Sequence, residues 1–396
     1  MALIKILDSQ TAQSIAAGEV VERPASVVKE LCENALDAGA DRISISIEQG
    51  GIKLVRVSDN GSGMSTEDAL LAFKDHATSK ITGISDLDTI QTLGFRGEAL
   101  PTIAAVSRVM LETGRPEDPQ GTRLCLDAGT LVSQDNIPLN PGTKIEVRDL
   151  FYNTPARYKF LKQDRTEASR VTEVVRDLAL SRPDVSFYLE SQGKEILHTP
   201  GDNRLLSAIY AVLGQDMAKG MVPLIEGGKT SMVHCTGYIS LPSESKKSRT
   251  WQLFYVNGRP IQSPVLTRAL EDAYKSTLMQ GRFPACVLML TLPGNLVDVN
   301  VHPRKLEVRF WNDGEIYKQV YGQGQNALFT ALHHENPEPA AVEEPDRTLP
   351  QSTDSPEFLS STESSTMPQN GPDTVASRPS TSYLDFNLDG YTKLSQ

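Results

Sequence analysis

Apolar residues recur at helical spacing over residues 23–37. Val27, Val28, Leu31, Cys32, Ala35 and Leu36 gather on one side, as a 3.6-residue repeat requires of a helix facing a core. The same periodicity predicts helices at 66–76, 98–105 and 165–180. Alternation of apolar and polar positions predicts strands at 42–48, 52–58, 108–112, 143–147 and 186–190. Helices interleaved with alternating strands predict an α/β (α+β) two-layer sandwich, with helices on one face of a mixed sheet. Residues 76–96 are rich in Thr, Ser and Gly without periodicity and read as a long loop, the kind that serves as a functional lid.

Asp202 is placed to cap a helix running to about residue 212, and Gly214 to end it. A second α/β unit then runs to about residue 333, with strands near 231–239, 252–256 and 286–292 and helices at 265–274 and 314–332. From residue 336 onward Pro, Ser, Thr and Glu dominate and periodicity is lost. Such a segment buries too little apolar surface to offset its ordering entropy and reads as a disordered linker. A short apolar cluster at 383–388 within it is a candidate docking peptide. The division expected is 1–210, 211–334 and 335–396.

Charge is distributed unevenly. The chain carries −11, but eleven acidic and three basic residues lie from Glu335 on, leaving −3 for the preceding 334 residues. A nearly balanced body can still present a basic groove. The absence of a basic region followed by an apolar run, and of any 18-residue apolar stretch, argues against secretion and membrane insertion. The four cysteines, Cys32, Cys125, Cys235 and Cys286, form no CxxC, so zinc and redox chemistry are disfavoured and reduced thiols in the cytoplasm are expected.

The chemistry begins on the first helix. Glu30, Glu33, Asn34 and Asp37 fall at i, i+3, i+4 and i+7 opposite the apolar side, an acidic stripe read as unpaired. Like charges stacked this way repel, and Asn is a poor interior helix residue. A solvated face is the bland reading; a cation site with a carboxylate base is the sharp one. Asp59-Asn60-Gly61-Ser62-Gly63 follows a strand, a turn whose glycines let the backbone approach a flat or phosphorylated ligand while the aspartate accepts a hydrogen bond from an amino group. Gly94-Phe95-Arg96-Gly97-Glu98-Ala99-Leu100 leads into an apolar helix, and Gly142-Thr143 opens a strand. Each motif alone is weak; four in this order favour the sharp reading. Two decoys fail. Gly228-Lys229-Thr230 lacks the first glycine of a P-loop, and Gly322-Gln323-Gly324 lies within a helix-like run rather than after a strand. His302 has no second ligand at metal spacing.

These four motifs resemble motifs one to four of the GHKL ATPases. The flanking words narrow the resemblance to the MutL family of DNA mismatch repair proteins. They include Ala17-Gly18-Glu19-Val20, His76-Ala77-Thr78-Ser79-Lys80, residues 148–161 (RDLFYNTPARYKFL), Val256-Asn257-Gly258-Arg259 and residues 298–310 (DVNVHPRKLEVRF). The similarity covers roughly residues 1–330. One departure is Arg304, where the family usually has a small residue beside the lysine at 305.

The resemblance implies a GHKL (Bergerat-type) ATPase sandwich, then a unit similar to ribosomal protein S5 domain 2. It implies ATP and Mg²⁺, with Glu30 activating water, Asn34 ligating Mg²⁺ and Asp59 binding adenine, supported by Thr143. Gly61, Gly63, Gly94, Phe95, Arg96 and Gly97 would wrap the nucleotide, Ser79 and Lys80 belong to the lid, and Lys305 reaches the γ-phosphate from the second unit. It further implies an ATP-gated clamp that dimerises on ATP and binds DNA without sequence specificity. Its implied partners are the mismatch sensor MutS and a downstream nuclease or helicase. Arg268, Lys275 and Arg282 are the candidate DNA contacts, grouped around one predicted helix and its exit. The DQHA-type endonuclease motif and the C-terminal dimerisation domain of the family are missing from this sequence, which is expected to be a fragment or a short form. The alternatives are an ATP-responsive scaffold and a gyrase B-like topoisomerase subunit.

Overall fold

The structure, a computed structural model, describes residues 21–74, 77–78, 98–225, 232–298 and 308–333. In the first lobe, helix α1 (Pro24–Asp37) precedes strands β1 (Arg42–Glu48) and β2 (Leu54–Asp59). Helices α2 (Thr66–Leu71) and α3 (Ala99–Ala105) follow, then β3 (Arg108–Gly114), β4 (Gly121–Asp127), β5 (Thr130–Ile137) and β6 (Gly142–Arg148). The short α4 (Pro155–Tyr158) and the long α5 (Asp164–Ser181) lead into β7 (Ser186–Ser191) and β8 (Lys194–His198). The eight strands form one sheet in the order β5-β4-β3-β6-β2-β1-β7-β8. Its pairs are antiparallel except β1 with β7, which is parallel.

The alternation in β1 shows why one face is covered. Ile43, Ile45 and Ile47 are buried, while Ser44 and Ser46 point the other way, as the two-residue strand repeat requires. The isoleucines pack with Val27, Val28 and Leu31 of α1 and Val171 and Val175 of α5 in one core. The opposite face carries charge ladders instead. Glu146 bonds Arg56 at 2.8 Å and Arg148 at 2.6 Å, and Glu112 bonds Arg123 and Lys144. Burial raises the Glu146 carboxyl, but its bonds to Arg148 and Arg56 outweigh that and hold it low.

The second lobe starts with α6 (Leu205–Leu213), α7 (Gln215–Lys219), β9 (Met221–Pro223), β10 (His234–Ser240), β11 (Gln252–Val256) and β12 (Arg259–Ile261). It continues with α8 (Pro264–Ala273), β13 (Cys286–Thr291), β14 (Val297–Asp298), β15 (Arg309–Phe310) and α9 (Asp313–His333). Five strands form a sheet in the order β12-β11-β13-β10-β9, backed by α8 and α9. A third apolar cluster joins the lobes, placing Leu180, Ala208 and Ile209 against Tyr255, Ala285 and Val287. Gly214 ends α6 at φ 91°, as expected. Asp202 contributes by accepting from Arg204 N–H at 3.0 Å and Ser207 Oγ at 2.7 Å, although Arg204 is the residue at the cap. Gly322-Gln323-Gly324 does lie inside α9. A Cβ at Gly324 would sit 3.3 Å from that of Ala273, so this glycine lets α8 and α9 approach closely.

Ser263 caps α8, its Oγ accepting from Leu266 N–H at 3.3 Å. Ser263→Ala is expected to destabilise the chain by about 1 kcal/mol, measurable as a lower denaturant midpoint with unchanged slope.

The expected α/β class and layering hold. Strands β4, β5, β8, β9, β12, β14 and β15 were not anticipated. Among the described residues, no helix is long and apolar enough to cross a membrane.

Candidate functional site

The site is organised around the end of β2. Asp59 lies opposite Thr143 in the β2–β6 register, and Thr143 lies opposite Thr113 in the β3–β6 register. Three neighbouring strands therefore bring Asp59, Thr143 and Thr113 into one row. The Asp59 carboxylate accepts the Gly61 N–H at 2.9 Å and also a backbone N–H from Thr143. Burial raises its pKa, and these two bonds only partly counter the rise. Thr113 Oγ1 donates to the Gly142 carbonyl at 3.0 Å, accepts from Met64 N–H at 3.0 Å, and lies 3.1 Å from Thr143 Oγ1. Thr113 was missed from sequence because a buried strand threonine carries no local signal; only the strand order puts it here.

The glycines are fixed by close approach. A Cβ at Gly61 would lie 2.9 Å from Ala38 at the end of α1. Gly63, at φ 67°, would drive one into the carbonyl of Gly114. The turn is pinned from both sides: Ser62 N–H donates to the Ala38 carbonyl at 3.0 Å, and Asn60 Oδ1 accepts the N–H groups of Asp41 and Arg42 at 3.1 and 2.9 Å. The end of α1 and the turn after β2 are thus one rigid unit.

Helix α1 carries Glu30 and Asn34 one turn apart. Its polar stripe is not a solvated face, since Glu33 is only 8% exposed. Nor is it unpaired: Lys29 bridges to Glu33 at 2.9 Å. Burial raises the Glu33 carboxyl most, Lys29 opposes that, and the neighbouring Glu30 adds to it. Arg259 of β12, in the second lobe, is also close enough for its charge to act on Glu33. The Cys32 thiol is held protonated by burial, assisted by the charges of Glu33 and Asp59, so Asp59 lies near this helix as well. Cys32, Cys235 and Cys286 are buried, Cys125 is partly buried, and all four are free thiols.

The described residues contain no group of three or more His, Cys, Asp or Glu able to hold a metal ion. Mg²⁺ commonly takes one or two protein oxygens, with substrate phosphates and waters completing its shell. An Asn34 amide beside Glu30 fits that mode of binding and does not fit an all-protein cage.

Ser79, Lys80, Gly94, Phe95, Arg96, Gly97 and Lys305 lie outside the described residues, as do Arg304, His302, Gly228-Lys229-Thr230, and the linker with its 383–388 cluster. The helix expected after the GFRGE word is present as α3.

In the second lobe Arg268 is 79% exposed and 3.5 Å from Asp272, and Lys275 is exposed just past α8. Arg282 differs: its guanidinium donates to the Ser245 carbonyl and, at 3.2 Å, to Ser245 Oγ, tying down the loop before β11.

Two family patterns match the chain. "Histidine kinase-, DNA gyrase B-, and HSP90-like ATPase" covers residues 22–126, and "DNA mismatch repair protein, C-terminal domain" covers residues 209–329. Together with the sandwich and its glycine turn, they define a protein of the GHKL ATPase class. A DNA mismatch repair protein MutL from Symbiobacterium thermophilum is 47% identical over 333 residues, covering 84% of this chain and 52% of that protein. The chain belongs to the MutL family, and it spans about half the length of that relative. Among solved structures, the N-terminal domain of a DNA repair protein aligns with TM-score 0.68 at 26% identity, covering 81% of this chain and 98% of that one. The Aquifex aeolicus MutL ATPase domain complexed with ADP aligns with TM-score 0.52 at 29% identity, covering 69% and 93%.

Proposed function

We propose that this chain is an ATP-gated clamp of DNA mismatch repair. It binds ATP between the β2 turn and α1 and hydrolyses it slowly. The observation that carries the reading is the row Asp59–Thr143–Thr113 beside a glycine turn locked to the helix bearing Glu30 and Asn34. An ADP complex of a similar ATPase domain supports it.

In this reading Asp59 accepts the adenine amino group, the N–H groups of Gly61 and Thr143 fix the aspartate's rotamer, Thr113 braces Thr143, and Gly61 and Gly63 admit the ligand to the backbone. Glu30 orients and deprotonates water. Asn34 would hold Mg²⁺, which supplies charge neutralisation on the phosphates. The resemblance gives Ser79, Lys80 and residues 94–97 to the phosphates, and Lys305 to the γ-phosphate. ATP shifts the population toward a closed dimer through its greater affinity for that state; hydrolysis resets it. The division at 1–210, 211–334 and 335–396 follows the same reading, with MutS and a nuclease or helicase as partners. Identity of 47% to a mismatch repair protein favours this over DNA strand passage. Nucleotide binding with Mg²⁺-dependent release of phosphate tests the reading. Binding without turnover selects the scaffold alternative, and absence of binding removes the site.

For DNA, exposed Arg268 and Lys275 are the better phosphate contacts, because Arg282 already holds Ser245. Removing both charges is expected to weaken binding equally for all sequences and to reduce the salt slope by about 2. A slope unchanged in a fluorescence titration against salt would count against this surface.

A further inference from the structure

Lys29 stands between two carboxylates of its own helix. Its Nζ lies 2.9 Å from Oε1 of Glu33 and donates to Oε2 at 3.0 Å, but it is 3.9 Å from Oε1 of Glu30. The first two are hydrogen-bond distances and the third is not. The Glu33 side chain is 11% exposed, against 27% for Glu30 and 47% for Lys29. A surface i,i+4 pair contributes little and leaves both groups in water. Here one partner is buried beside a like charge, an arrangement that costs free energy unless the cation stays in place.

We propose that Glu33 is a positioning residue that sequesters Lys29, keeping the ammonium off Glu30 so that Glu30 retains its lone pairs for the attacking water. The proposal rests on the reading of Glu30 as the base. An ammonium bonded directly to a carboxylate favours its ionised form and weakens it as a proton acceptor. Lys29 is on the same helix and within reach of both residues, so without Glu33 its nearest anion is Glu30. Glu33 does not touch the reacting atoms; it acts through Lys29, which it holds by two hydrogen-bond contacts.

The test compares Glu33→Gln, Glu33→Asp and Lys29→Met/Glu33→Gln with the wild-type chain. Single-turnover ATP hydrolysis, nucleotide Kd and crystal structures are the three readouts. Glu33→Gln is expected to slow hydrolysis about fivefold to tenfold, a fraction of what a general base supplies, with Kd nearly unchanged. In its structure Lys29 Nζ moves to about 3 Å from the Glu30 carboxylate. Glu33→Asp keeps the charge and loses less. Adding Lys29→Met restores the rate, because the competing cation is gone. If the double variant is no faster than Glu33→Gln, and Lys29 stays away from Glu30, Glu33 is merely structural and the proposal is overturned. Glu30→Ala is run alongside. If it hydrolyses ATP like the wild type, the base assignment itself fails and takes this proposal with it; if it is inactive, a missing rescue condemns the positioning role alone.

Discussion

Glu30→Ala is expected to bind ATP with nearly wild-type affinity and to lose turnover by about a hundredfold or more, the range for removal of a positioned general base. Its side chain lies at the rim of the site, 27% exposed, rather than in the core. The apolar side of α1 that packs on the sheet is formed by other residues, Val27, Val28, Leu31 and Ala35 among them. Truncation therefore leaves packing intact, and alanine is the best helix former. The prediction is a pure kcat effect, read by single-turnover hydrolysis with bound nucleotide tracked in parallel. Equal loss of binding would place Glu30 in nucleotide recognition instead. An unchanged rate would remove it from the mechanism.

Asp59→Asn is expected to do the opposite, weakening nucleotide binding about tenfold to a hundredfold, as loss of a charge-assisted hydrogen bond should. Stability should not suffer with it. Burial raises the Asp59 pKa in the folded chain more than its bonds to Gly61 and Thr143 lower it. A raised carboxyl contributes stability that is fully present below its unfolded pKa and is lost as pH rises through the folded value. At neutral pH the ionised aspartate is therefore a net cost, and asparagine removes that cost while its amide oxygen can still accept the Gly61 N–H. Thermal melts should show Asp59→Asn equal to or above the wild type at pH 7, with the difference shrinking toward pH 4. A variant that binds poorly because it has unfolded would show a lower melting temperature at every pH. The site would then be structural at this position.

How legible was this chain? Strand β1 has the bounds expected from alternation, because it has one buried face and its period of two survives in the sequence. Strand β5 escaped notice for the converse reason. At the sheet edge, with burial on neither face, Leu131 and Val132 are exposed and no alternation marks it. Helix α4 is a single turn with no buried residue, so it has no periodicity to read. The stripe on α1 was visible but misjudged in part. Spacing puts Glu33 opposite the apolar side, yet Glu33 is buried, and the charge of Arg259, on β12 far along the chain, acts on it.

The sequence alone determined the class. Glycines in a turn, an aspartate at a strand end and an acidic helix face are local features, so they survive as short words at readable spacing. Only the tertiary structure decided which residues share the site. Thr113 joins Asp59 because strand order β3-β6-β2 sets three strands side by side, and Arg282 is engaged because a loop some 37 residues away folds back onto it. Strand order and loop return are set by how the whole core closes, and no local pattern of residues encodes that closure.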